Sequence, residues 1–459
     1  MIQIVPIDTP TLGDRGYLAH DGRVALVVDP QRDIDRVLAV AEYAGVRITH
    51  VLETHIHNDY VTGGYALAQA TGAAYCVNAA DPVAFDRVPV GDGDVVEVSN
   101  LMRVKVLATP GHTFTHLAFV LEQAGGANWS PVAVFTGGSL LNGAVGRPDL
   151  LGPEHAEALA RDQHASAHRL AGLPEHTRVL PTHGFGSFCS ATQSAAEAST
   201  IAVEKASNPA VTLGLDEFVE TLLAGLDAWP AYYSRMALAN LDGPQASTFE
   251  LPRRADAAAI RASLDSGGWV VDLRNRVAFA DRHVVGSVNI GLDGSFATYL
   301  GWIIPADAPI ILLGEDPRQV LEARRELSRI GLDPAAHATG TVADWTGARP
   351  ADRYRRADFA DLAQVRHHRP VTVLDVRRRL ERGTGHMPGA LWIPLHELLA
   401  RLDELPEGEI WVHCAAGYRA AIAASLLAAR DRNVVLVDDD FDAALSAGSI
   451  TVGIAEPVR

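Results

Sequence analysis

Cysteine is scarce in this 459-residue chain: Cys76, Cys189 and Cys414 are the only three, an odd number spread far apart. That excludes a disulfide framework, indicates a reducing compartment and leaves at most one or two thiols to do chemistry. No run reaches the roughly 18 uncharged apolar residues of a membrane span. The first eight residues also lack a basic segment followed by a long apolar one. The expectation is a cytoplasmic protein with no membrane partner. Basic residues are outnumbered, 39 against 56 acidic ones, for a net charge of −17 with no basic stripe. A nucleic-acid backbone is repelled by such a surface, so nucleic acid is not an expected partner.

What is present is length and apolar content. The chain is about three times a ~150-residue domain, and 48 % apolar against 21 % charged residues is too apolar for disorder. Up to about residue 200, apolar β-like runs at 24–29, 51–54, 104–107 and 132–135 alternate with helical stretches. Several of these runs end in polar clusters rich in histidine, the pattern of an α/β layered fold with its site at strand ends. From Ser199 to about Asn240 the pattern is helical, with Phe218, Leu222, Leu223 and Leu226 on one face. The stretch 243–248 then reads as a boundary. Beyond it, Asp272-Leu-Arg274, His283 and Gly286 recur as Asp375-Val-Arg377, His386 and Gly389, each 103 residues later. The expected domains are 1–245, 250–350 and 355–459.

Thr54-His55-Ile-His57-Asn-Asp59-Tyr60 follows an apolar run and precedes a loop that enters a helix. Two histidines one residue apart at a strand end project into one cleft, where imidazole nitrogens suit zinc or ferrous iron. Pro110-Gly111-His112 and Pro181-Thr182-His183-Gly184 each present another histidine after an apolar run. Four histidines on three strand-end loops read as a metal site, the other reading being surface or capping histidines. Cys189, in a glycine-rich loop near His183, reads as a packing cysteine, the other reading being that it lines the first cleft, and Cys76, in the run 73–77, reads as core. Asp149 in Gly-Arg-Pro-Asp reads as a structural partner of nearby backbone.

Cys414 ends a second apolar run, 409–413, and a helix-like stretch begins at Ala420. Cys414-Ala415-Ala416-Gly417-Tyr418-Arg419 is expected to form a six-residue loop whose backbone N–H groups, aided by the helix dipole, make an anion nest. Ala415, Ala416, Gly417 and Tyr418 are then the substrate-binding backbone around a thiolate or persulfide at Cys414. Arg419 is expected to neutralise an anionic sulfur donor such as thiosulfate. Gly417 permits the tight turn. The spacing also fits the phosphatase loop with one residue fewer.

The ordered set His55-x-His57-x-Asp59, Gly111-His112, Gly146-Arg-Pro-Asp149 and His183-Gly184 resembles the metallo-β-lactamase superfamily, nearest its persulfide dioxygenases fused to rhodanese domains. Asp375-x-Arg377, His386-Met-Pro-Gly389 and Cys414 together resemble a rhodanese domain. The resemblance implies an α/β architecture: an αββα sandwich followed by two rhodanese-like parallel-sheet domains. Two positions depart from it, Tyr60 where the superfamily has histidine and Gly138 where it has aspartate. Both belong to two-ion chemistry, so two-metal hydrolysis is not expected. The dioxygenases hold one Fe(II) with two histidines and that aspartate. By position His55 and His112 are the pair, and His57 is expected to complete a three-histidine face, with Asp59 and His183 as weaker ligands. A Gly138→Asp change is expected to restore a donor and tighten iron binding where the backbone points that position at the metal.

The implied activity is oxidation of a low-molecular-weight thiol persulfide with O2, joined to sulfane-sulfur transfer through Cys414 with thiosulfate or sulfite, in a possible homodimer. The alternatives are a sulfurtransferase with a metal-degenerate binding domain and a mononuclear zinc thioester hydrolase. The apolar run Ile310 to Gly314 falls on the run Ile410 to Cys414. Gly314 then stands where the nucleophile would be, and the middle domain is expected to be non-catalytic.

Overall fold

In the computed structural model, which describes residues 1–126, 128–192 and 196–453, the chain forms two compact units. One comprises Met1–Thr248 with Ser328–Gly331, and the other Phe249–Leu327 with Leu332–Arg459. The six C-terminal residues expected in the last domain lie outside the described residues.

The first unit contains two six-stranded sheets. One runs in the order Gln3–Thr9, Asp14–His20, Val24–Val28, Arg47–Leu52, Ala74–Asn78, Val88–Val90. The other runs in the order Ser199–Thr200, Arg178–Pro181, Asn128–Gly137, Leu117–Gly125, Met102–Ala108, Val95–Glu97. Val/Leu/Phe-rich strands favour the pleat because branched and aromatic side chains pack across it. Leu26, Val28 and Leu52 of the first sheet meet Val104, Phe119 and Phe135 of the second in one buried layer. The outer faces are covered in turn: Val37, Ala41 and Leu67 pack on one sheet, and Ala160, Ala167, Ile201 and Phe218 on the other. This is the αββα sandwich. The helix Asp35–Ala44 stops at Gly45, whose φ of 65° lets its N–H return to the last carbonyls. The predicted helical stretch after Ser199 forms Ile201–Ser207, Pro209–Thr212, Leu215–Ala224 and Tyr233–Leu241.

The second unit holds two five-stranded sheets, parallel throughout and of one strand order. Asp272 lies opposite Asn289 and Leu313, and Asp375 opposite Trp392 and His413. The offset between the copies is therefore 103 residues at the first strand pair and 100 at the central strand. The three-residue shortening aligns Gly314 with Cys414. In both copies the arginine of Asp-x-Arg folds back on its own aspartate, Arg274 on Asp272 and Arg377 on Asp375, with all four groups buried.

Candidate functional site

The histidines named from the sequence converge at the carboxyl ends of strands in the first unit. Asp29, at the end of Val24–Val28, adopts φ 49°, an uncommon conformation for a residue other than glycine. It aims its carboxylate at three acceptor-seeking groups: the Thr54 N–H at 2.8 Å, the Thr54 hydroxyl at 2.7 Å and the Thr182 hydroxyl. One buried aspartate thus pins the loops that carry His55 and His183.

These bonds fix where each imidazole keeps its lone pair. The Thr54 hydroxyl gives its only hydrogen to Asp29, so it accepts from His55 Nδ1 at 2.8 Å, and His55 Nε2 is bare. His112 Nδ1 donates to the Arg147 carbonyl at 2.8 Å, which leaves His112 Nε2 bare, buried and without a hydrogen-bond partner. His183 Nδ1 donates to Asp14 Oδ1 at 2.9 Å, with Asp59 Oδ2 a further 3.1 Å contact. Its Nε2 stands 3.2 Å from His55 Nε2. His57 is turned the other way. Its Nε2 meets Glu53 at 3.2 Å, Asp29 at 3.4 Å and the Tyr60 hydroxyl at 2.9 Å, so Nδ1 is the buried atom without a partner. Burial pushes the His57 imidazole down, but the Asp29 charge and its bonds to Asp29 and Glu53 outweigh that and hold it up at about 9. The same carboxylates would stabilise a cation at Nδ1.

Each ring commits one nitrogen to an outer partner and leaves the other facing inward, the arrangement that orients metal-binding imidazoles. Two nitrogens each about 2.1 Å from one ion lie about 3.0–3.4 Å apart, and the His55–His183 separation is 3.2 Å. The residues therefore fit one zinc or iron ion. His55, His57 and His183 place donor atoms within 4.8 Å of one another, and so do His112, His183 and Cys189. His183, expected as a weak ligand, is the member common to both groups. Asp59 joins Asp14 and His183 in a third group.

Several expectations need correction here. The carboxylate place at Gly138 is taken by the His112 ring itself. A Cβ on Gly138 would lie 2.2 Å from His112 Cδ2, and one on Gly146 would lie 2.7 Å from His112 Nδ1. Tyr60 is fully buried and stacks on His57 at 4.3 Å, filling the second-ion side with a ring. Cys189 is fully buried, as a packing residue is, and its thiol also faces Asp59 and groups with His112 and His183. Asp149 takes both its contacts from the Arg147 guanidinium, at 2.7 and 2.8 Å, not from backbone. His116 went unnoticed from the sequence. It accepts the Gly138 N–H at 3.0 Å and bonds Thr109, so both its nitrogens are used and it is a brace for the His112 loop. Asp29 and Glu53 also went unnoticed, although an acid ending an apolar strand just before proline was a usable signal at Asp29. Cys76 is core as expected.

In the second unit, strand Glu409–His413 ends at Cys414 and helix Tyr418–Ala428 begins four residues later. The loop is therefore 414–417, shorter than the expected six, and Tyr418 and Arg419 are its helical exit. Among the described residues no acceptor meets the N–H groups of Ala415, Ala416 or Gly417. They are left to an anion beside the buried Cys414 thiol. Gly417 has φ 87°, and a Cβ there would strike Asp438 at 2.2 Å.

Arg419 is paired with a carboxylate. Its two terminal nitrogens hold both Glu381 oxygens at 2.5 and 2.6 Å. Burial would raise the Glu381 carboxyl, but those bonds and the Arg419 charge outweigh it and hold it down at about 2. Tyr418 donates its hydroxyl to the Gly291 carbonyl at 2.7 Å in the middle domain. That domain also sends Arg276 to Asp438, at 2.6 Å, beside Gly417.

Comparison with known proteins matches residues 16–183 to the metallo-beta-lactamase superfamily and residues 358–447 to the rhodanese-like domain. A hydroxyacylglutathione hydrolase of Ectopseudomonas mendocina is 35 % identical over 189 residues, 40 % of this chain and 66 % of that protein. One of Rhodobacter capsulatus is 33 % identical over 188 residues, 40 % of this chain and 67 % of that protein. Another relative of the same name, from Polaromonas, is covered over only 57 % of its length, so the chain spans about two thirds or less of these relatives. A crystal structure of a metallo-beta-lactamase from Staphylococcus aureus superposes with a TM-score of 0.66 at 28 % identity, covering 74 % of this chain and 99 % of that one.

Proposed function

The chain belongs to the metallo-beta-lactamase superfamily and carries a rhodanese-like domain, and from that premise we propose that it is a sulfur-metabolising fusion enzyme. In this reading a one-ion centre in the first unit oxidises a low-molecular-weight thiol persulfide with O2, and Cys414 passes sulfane sulfur to or from thiosulfate or sulfite. The observation that carries it is the set of inward-facing imidazole lone pairs, with an aromatic ring and a glycine standing where a second ion would need donors.

His55, His57 and His183, whose donor atoms gather within 4.8 Å, would hold the ion, with His112, grouped with His183, beside them. Ferrous iron so held supplies open positions where a sulfur anion and O2 can meet. Thr54, the Arg147 carbonyl and Asp14 keep the ligand rings in register, and Asp29 with Glu53 offsets the positive charge. At the other centre the Cys414 thiolate attacks the outer sulfur of thiosulfate. The S–S bond breaks, its electron pair leaves with sulfite, and Cys414 keeps the sulfur as a persulfide until a nucleophilic acceptor takes it. The N–H groups of 415–417 hold the anion, and Glu381 with Arg419 fixes the helix that presents them. One chain carrying both centres raises the local concentration of the shared intermediate.

Protein purified without oxygen should hold about one iron per chain and consume O2 only when persulfide is supplied. A second reading, one-zinc thioester hydrolysis, is favoured by the identity to hydroxyacylglutathione hydrolases. One zinc per chain with thioester cleavage and no oxygen uptake would establish it instead.

A further inference from the structure

Cys189 sits in the loop that follows His183 and is fully buried. The loop is braced on several sides. Cys189 N–H bonds the Ser187 hydroxyl at 3.2 Å, the Arg147 N–H bonds the Cys189 carbonyl at 2.8 Å, and Gly146 pairs with Ser190. The backbone that carries Cys189 is thus tied to Arg147, whose own carbonyl orients His112. Its sulfur lies within 4.8 Å of a ring nitrogen on each of His112 and His183, and His112 Nε2 has no hydrogen-bond partner although fully buried. An ion bound at about 2.1 Å to nitrogen and about 2.3 Å to sulfur sets N···S near 3.6 Å, a separation that lies inside the 4.8 Å within which these donor atoms gather.

We propose that Cys189 is a sulfur ligand of the one-ion centre, replacing with a thiolate the carboxylate that Gly138 cannot offer, so that the site takes a thiophilic divalent ion in a mixed imidazole and sulfur set. The inference rests on the one-ion reading above. As the metal–sulfur bond forms, the S–H bond breaks and its proton is released to solvent, the deprotonation that binding of a thiol to a metal ion requires. A thiolate ligand balances one of the two ion charges, as the missing aspartate would. It also shifts the preference of the site toward zinc or ferrous iron and away from hard cations.

Two measurements on the full chain test this. X-ray absorption of the protein loaded with zinc should show one sulfur at about 2.3 Å. With cobalt(II) as probe, a sulfur-to-metal charge-transfer band should be present in the wild type and in Cys414→Ser and absent from Cys189→Ser. That last variant should bind the ion about tenfold or more weakly. A loaded wild type with nitrogen and oxygen neighbours only, or a band that survives Cys189→Ser, overturns the sulfur ligand and leaves the one-ion reading standing. Failure of the wild type to take up zinc, iron or cobalt overturns both.

Discussion

The ring of His112 lies so close to Gly138 that a Cβ on that glycine would stand 2.2 Å from His112 Cδ2. The backbone at 138 points at a ligand ring and not at the space the ligands share. Glycine is therefore required there for the site to keep its present shape, and its selection is part of how His112 is placed. The Gly138 N–H bonded to His116 holds the close approach in register.

It follows that Gly138→Asp should weaken ion binding, against the expectation from residue identity alone. The new side chain must push His112 off the Arg147 carbonyl. Gly138→Ala should act in the same direction, with metal affinity lowered by about tenfold or more, the range lost when an orienting partner of a ligand is removed. Metal content after dialysis against graded chelator measures it. Tighter binding in Gly138→Asp would mean that the backbone at 138 turns toward the ion.

Cys414→Ser should abolish thiosulfate-dependent sulfur transfer, since a hydroxyl carries no persulfide at neutral pH. Metal content and persulfide-dependent oxygen uptake should stay unchanged, because the two centres lie in separate units. Cyanide-accepted sulfur from thiosulfate gives the readout. Residual transfer near the wild-type rate would remove Cys414 from the role.

A cysteine placed at Gly314 should not make a second transfer centre. Only Glu315 and Asp316 separate the strand Ile310–Gly314 from the helix Pro317–Arg329, and Pro317 has no N–H to offer. The next two N–H groups, of Arg318 and Gln319, already bond Asp316 Oδ1 at 2.7 and 3.2 Å. An anion there would meet carboxylates where the C-terminal copy presents open N–H groups. Transfer by a Gly314→Cys, Cys414→Ser protein at a tenth of the wild-type rate or more would contradict this.

Glu381 is held at about 2 against its ordinary 4.5, so its pairing with Arg419 stabilises the fold fully above that ordinary value. The contribution fades as pH falls through the folded value near 2. Thermal unfolding of wild type and Glu381→Gln should differ most near neutrality and converge toward pH 2. Arg419→Lys, which cannot span both carboxylate oxygens, should lower sulfur transfer without lowering metal content. A stability gap that is constant from neutral to acid pH would show that the pair is not what the variant removes.

The positions of the two centres were legible in the sequence because their signals are local. An apolar run followed at once by histidines or by Cys414 places those side chains at strand ends. The repeat of Asp-x-Arg and His-x-x-Gly displayed the duplicated parallel sheet, and Gly314 against Cys414 separated the copy without the cysteine from the copy that carries it. What no spacing could give is which atom each side chain uses and what holds it. Asp29 reaches Thr54 across 25 residues and Thr182 across 153, and His183 meets Asp14 across 169. Those long-range bonds choose the nitrogen that faces inward. In the same way Glu381, 38 residues upstream, pairs with Arg419, and the fold brings Cys189 within 4.8 Å of donor atoms on His112 and His183. Periodicity and adjacency fix which residues arrive at a strand end. Hydrogen-bond direction and charge are settled only when distant segments desolvate one another, because only then does each buried polar atom have to find its partner.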